Sequence, residues 1–200
     1  MSRIINWLGV AAGITTLLVV AVSFFVPWWH LTVGDDILQV NASPFNTNFG
    51  LFGAAFTVPL ILALNLISIL TLLASGAVML LYSFIPTKSY AKDLLGFSYR
   101  KPLYALIFFV LGLIVTVSIA GVFGLNIPLM GTSNSSLPSS LLMGASVSAP
   151  VSTSFLLPFW LAIVGVVLCF AARLYHGRAF AQNPVSASVQ PAKDLPPPQI

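Results

Sequence analysis

The chain has 200 residues, of which 58% are hydrophobic and only 6% charged, and its mean hydropathy is +1.01. A soluble domain carries about a quarter charged residues, so this composition excludes a water-coated globule and makes the bilayer the main solvent. The formal charge of +4 does not point to nucleic acid, because the Lys and Arg stand beside apolar runs instead of gathering on one domain face.

Met1-Ser2-Arg3 is a short basic start, and Ile4 to Val26 is then almost wholly apolar. A span needs about 20 such residues. A secretory signal peptide is the rival reading. The run is longer than a usual signal core, however, and it leads into Phe24, Phe25 and Pro27 rather than small residues. The pattern predicts a retained first helix over 4–26. Pro27-Trp28-Trp29-His30 ends it at the far interface, a depth that tryptophan favours. Asp35 and Asp36 follow, and the loop runs to about Asn48 through turn-forming Asn-Ala-Ser-Pro and Asn-Thr-Asn.

The second helix is predicted over 55–84, with Pro59 suited to a first turn. Phe49, Phe52 and Phe56 then fall at or near the outer interface. Thr87 to Lys101 is a joint that holds Lys88, Lys92, Arg100 and Lys101, half of all the Lys and Arg. Pro102 closes it, and the third helix covers 103–125. Asn126 to Ser154 carries no charge, is rich in Ser and contains Pro128, Pro138 and Pro150. Within it Ala145-Ser146-Val147-Ser148-Ala149 alternates, which predicts a short strand on the outer surface. The fourth helix covers 155–174 and is stopped by Arg173, His176 and Arg178. A polar, Pro-rich tail over 182–200 is expected to be a solvated cytoplasmic end.

All eight Lys and Arg lie at the N-terminus, in the joint or after the fourth helix. Lys88, Lys92, Arg100, Lys101, Arg173 and Arg178 therefore set the topology by the positive-inside rule. The expectation is an all-α membrane protein over 1–181. It is an antiparallel bundle of four transmembrane helices in the cell membrane, with both termini cytoplasmic and two extracellular loops.

In lipid, helices associate through close contacts that small residues permit. Four stripes fit this: Gly9 and Gly13, extended by Thr16; Asn65, Ser68, Thr71 and Ser75; Gly112, Thr116, Ala120 and Gly124; Ala162, Gly165, Cys169 and Ala172. Asn65 is the most polar group at depth and is expected to hydrogen-bond a neighbouring helix.

Chemistry is hard to find. Apart from Arg173 at the very end of the fourth helix, no Asp, Glu, Lys, Arg or His falls inside a predicted span, and the chain has no Glu, which argues against a proton-coupled pump. No H-E-x-x-H or nucleotide-binding Gly-rich loop is present. His30 with Asp35 and Asp36 is the one polar cluster of metal-ligating types, a weak candidate for a cation. No catalytic residue and no cofactor is expected. Asn41-Ala42-Ser43, followed by Pro44, and Asn134-Ser135-Ser136 fit the glycosylation triplet. The expected partners are the bilayer and other membrane subunits or a second copy. The expected function is a structural, accessory-subunit or cell-surface role without catalysis; a small channel or transporter for neutral solutes is the alternative.

With this layout, Trp29 followed by Gly50-Leu51-Phe52 resembles claudin-type tetraspans, which carry a tryptophan and then Gly-Leu-Trp in the first outer loop. The resemblance implies cell-contact or barrier roles through the outer loops. It covers the layout and about five residues, and the paired loop cysteines of that family have no counterpart here, since Cys169 is the single cysteine. The nearness of Gly50-Leu51-Phe52 to the second helix also predicts little room for a loop sheet.

Overall fold

The computed structural model describes residues 5–34, 38–44, 47–51, 54–56, 59–122, 126–137 and 147–179. Its helices are α1 (Trp7–Ser23), α2 (Pro59–Phe84), α3 (Ala91–Ser98), α4 (Arg100–Val122) and α5 (Leu157–Ala179). Its strands are β1 (Trp29–Val33), β2 (Leu38–Ala42), β3 (Thr47–Leu51), β4 (Ala54–Phe56), β5 (Gly131–Leu137) and β6 (Val147–Phe155). By length and composition α2, α4 and α5 contain stretches able to cross a membrane. The apolar α1 has 17 residues, about 25 Å at 1.5 Å per residue.

The largest difference from the sequence reading is the sheet. One short strand was expected; six strands form one antiparallel sheet in the order β4-β3-β2-β1-β6-β5. The segment between α1 and α2 supplies four strands and the segment before α5 supplies two, joined where β1 pairs β6. The chain is therefore not all-α. The signal was a period of two in Trp29-His30-Leu31-Thr32-Val33 and Leu38-Gln39-Val40-Asn41-Ala42, which places alternate residues on opposite faces. Room for the sheet exists because α2 begins only at Pro59, so Gly50 and Leu51 belong to β3. The predicted strand over 145–149 is the start of β6 from Val147; residues 145 and 146 lie outside the described residues.

The basic joint is also more structured than a connector. It contains α3, which buries Ala91, Leu95 and Ser98 against the other helices. Pro102 does not delay the next helix. It lies in the first turn of α4, where a missing N–H is tolerated. Likewise Arg173, His176 and Arg178 do not end α5, which runs on to Ala179. Basic side chains near a helix C-terminus suit its dipole.

The core has two parts. Around the sheet, Trp29, Leu31, Val33, Ala42, Ala149 and Val151 pack with Leu113 of α4. Between the helices, Val19, Val20, Trp28, Leu72, Phe159 and Ala162 form one cluster, and Ala12, Met79, Tyr82, Leu95, Tyr99 and Cys169 another. Chain direction fixes the two ends. The C-terminus of α1 and the N-terminus of α5 adjoin the sheet, while Asn6, Ser83 and Ala172 meet at the opposite end.

Candidate functional site

The sheet sorts its residues by face. Trp29, Leu31, Val33, Ala42, Ala149, Val151 and Thr153 point inward and are buried. The alternate positions form uncharged polar rows across the strands. Gln39 stands opposite Thr32, Thr32 opposite Ser152, and Ser152 opposite Thr132. In the next row Asn41 stands opposite His30, and His30 opposite Ser154. Thr132, Asn134, Ser148, Pro150 and Ser152 on this face are exposed. Among the described residues of this face, His30 is the sole titratable group. Such a surface can offer hydroxyl and amide hydrogen bonds, and its described residues include no set for acid–base or nucleophilic chemistry.

Two tryptophans fasten the sheet to the helices. They were expected in an interfacial belt, but both are buried in protein, Trp28 at 1% and Trp29 at 2% exposure. Trp28 donates its ring N–H to the Ser23 hydroxyl at 2.7 Å and sets its ring edge-on to Phe109 and Phe159, at centroid distances of 5.2 and 6.2 Å. Trp29 donates to the Leu129 carbonyl at 2.9 Å. Each ring thus buries a large apolar area while its polar edge is satisfied, which a buried indole requires. The sheet is consequently held by contacts reaching α1, α4 and α5.

The helix interfaces are uneven. A Cβ on Gly9 would collide with the Ser83 hydroxyl, and one on Gly13 would lie 2.7 Å from Leu80 Cγ and 3.1 Å from the Gly76 carbonyl. These glycines let α1 and α2 approach closely. Ala162, Gly165, Cys169 and Ala172 are all buried on α5, and a Cβ on Gly165 would make ordinary contact with Thr15 at 3.5 Å. The stripe on α4 differs. Gly112 and Thr116 are exposed, a Cβ on Gly112 would meet nothing within 4 Å, and Ala120 is half-buried. That stripe does not join the intramolecular bundle as expected, and Gly124 lies outside the described residues. Ser68 is half-buried, and Ser75 donates to the Ser98 carbonyl at 2.7 Å, tying α2 to the end of α3.

Asn65 lies on α2 with its side chain outside the described set. The interhelical amide that the structure does show is Asn6, which the sequence reading passed over. It is fully buried. Its Oδ1 caps α1 by accepting from Gly9 N at 3.1 Å. Its Nδ2 donates to Tyr82 Oη at 2.8 Å and to the Ala172 carbonyl at 3.2 Å. One side chain therefore joins α1, α2 and α5. The signal was an Asn immediately before an apolar run, a helix-start pattern.

His30 lies on β1 with Nδ1 2.6 Å from Asn41 Oδ1, while Asp35 and Asp36, the other two members of the suggested cation cluster, lie outside the described residues. Among the described residues no group of three metal-ligating side chains occurs. Asn41 is on β2, with strands paired on both sides, whereas Asn134 is exposed on the edge strand β5. The tail over 182–200 lies outside the described residues. Between the helices, Thr16, Val19, Trp28, Leu72, Ala162 and Gly165 enclose a cavity of about 10 Å³, roughly the room one water needs. Lys88, Lys92, Arg100, Arg173 and Arg178 are exposed and Lys101 is half-buried, all at the end away from the sheet.

No protein-family model matches the chain, and no curated protein is significantly similar to it.

Proposed function

We propose that the chain is an integral four-span protein of the cell membrane. Both termini are cytoplasmic, the sheet is outside, and the protein acts without catalysis as an accessory subunit or in cell-surface contacts through that sheet. The observation that carries this reading is the separation of two surfaces. One end of the helices bears a sheet face of uncharged hydroxyls and amides, and the other bears Lys88, Lys92, Arg100, Lys101, Arg173 and Arg178, the Lys and Arg among the described residues. Cationic side chains stay on the cytoplasmic side of spans, and a rigid sheet with a neutral polar face suits recognition better than conduction. The claudin-type resemblance belongs to the same proposal, supported by a layout in which both outer segments contribute to one sheet.

The experiment uses single cysteines in a Cys169→Ala background. A membrane-impermeant maleimide is expected to label Ser152→Cys on intact cells and Lys88→Cys only after permeabilisation. Labelling of Lys88→Cys from outside overturns the orientation. For the interaction role, mild detergent extraction and native mass spectrometry are expected to show a bound partner subunit or a second copy, lost in a Thr132→Arg, Ser152→Arg variant. A lone wild-type chain after extraction overturns that role.

A further inference from the structure

At the end of the helices away from the sheet, three elements enclose a cleft of about 500 Å³. Lys92, Asp93 and Gly96 come from α3, Arg100 from the start of α4, and Arg173 and His176 from the last turns of α5. This volume falls within the range of about 300–1,000 Å³ typical of ligand sites. Lys92, Arg100 and Arg173 set three permanent positive charges against the Asp93 carboxylate, which leaves a formal surplus of two.

The two guanidinium groups are positioned, and the group that positions them does not neutralise them. Tyr99 is buried, and its ring meets Phe170 edge-on at a centroid distance of 5.6 Å. Arg173 stacks over that ring with Cζ 4.1 Å from the centroid. Arg100 donates from Nε to Tyr99 Oη at 2.7 Å. A phenol orients a guanidinium without supplying a countercharge, and the planar fork matches phosphate oxygens in pairs. Space has been kept as well. Gly96 and Gly177 both line the cleft, and a Cβ on either would meet nothing within 4 Å.

We propose that this cleft binds a phosphate-bearing anion through Arg100, Arg173 and Lys92. At the ends of apolar helices the cleft lies where lipid headgroups sit, so the anion is either the phosphodiester of an anionic lipid or a free phosphate. The proposal does not depend on what the sheet contacts.

The test uses the full chain in mild detergent. Native mass spectrometry follows exposure to equal amounts of phosphatidylglycerol and phosphatidylcholine, and thermal unfolding is compared in inorganic phosphate and in chloride of equal ionic strength. A basic side chain in contact with an anionic headgroup contributes about fivefold, so the Arg100→Gln, Arg173→Gln variant is expected to lose about 25-fold in phosphatidylglycerol preference. Lys88→Gln, which removes a cation outside the cleft, is expected to keep most of it. Gly177→Phe fills the cleft without changing charge and is expected to lose the preference too, which keeps the test open if the double variant does not fold. Lipid selectivity without a phosphate effect supports the headgroup source. Stabilisation by phosphate that the same variants abolish supports the free anion. Undiminished phosphatidylglycerol preference in both cleft variants, or no response to either probe in the wild type, overturns the proposal.

Discussion

Replacing Asn6 is the sharpest probe of how the helices are held. Asn6→Ala removes the cap on Gly9 N, worth about 1 kcal/mol. It also removes two donors to neighbouring helices, the bonds to Tyr82 Oη and the Ala172 carbonyl, each worth about 0.6 kcal/mol in a membrane protein. The sum is about 2 kcal/mol, and the cavity left in a fully buried site raises it to about 3 kcal/mol. For a chain of this size that lowers the unfolding temperature by roughly 6–12 °C. Scanning fluorimetry of the full chain in mild detergent, at one fixed scan rate, reads the shift. Asn6→Ser keeps a capping oxygen but is too short to reach Tyr82, so it is expected to lose about half as much. In a Tyr82→Phe background the Asn6→Ala loss is expected to shrink, because the pair has already been broken. An Asn6→Ala protein within about 0.5 kcal/mol of wild type, the range of ordinary surface changes, would refute the assignment of this side chain as the joint of three helices.

The glycines give a contrast within one protein. Gly13→Ala is expected to destabilise by about 1–3 kcal/mol through overpacking against Leu80 and Gly76, while Gly112→Ala, with open space around it, is expected to be neutral or to stabilise by up to about 1 kcal/mol; chemical or thermal unfolding separates them. Expressed in a glycosylating host, Asn134→Gln is expected to abolish any glycan mass shift and Asn41→Gln to leave it, since Asn134 is exposed on an edge strand and Asn41 faces His30 within the sheet. Cys169 is 1% exposed and is expected to resist a water-soluble disulfide reagent in the folded protein and react fully after denaturation.

Long features were legible in the sequence and short-period ones were not. The apolar runs located the four long helices to within about five residues at each end, because a span needs a length that no turn can imitate. On α1 and α5, Gly9, Gly13, Ala162, Gly165 and Cys169 are buried. The sheet was missed because each strand offers only two or three apolar positions, and Trp28 and Trp29 have an equally natural reading as interfacial residues. What separates the readings is whether each indole N–H finds a protein acceptor, here Ser23 and Leu129, and that pairing spans up to 100 residues of sequence. The cleft was illegible for a similar reason. Lys92, Arg100 and Arg173 were read as topology markers one by one, and only the buried ring of Tyr99 brings two of them together.

The distribution of polarity within the helices carries the environment further than composition does. Asn6, Thr16, Ser23, Ser75, Ser83 and Ser98 are buried among the helices, whereas Trp7, Phe25, Ile67, Phe108 and Val167 are more than half exposed. A helical bundle folded in water would reverse this, because burying apolar area is its main driving force. Between helices in hydrocarbon that force vanishes, and small side chains with internally satisfied hydroxyls become the better interior. Ser83 and Thr16 bond back to the carbonyls of Met79 and Ala12, so each satisfies its own polar group within its helix. The large apolar side chains turned outward are spread over α1, α2, α4 and α5, a pattern compatible with the membrane insertion proposed above, in which lipid takes the place of a protein partner.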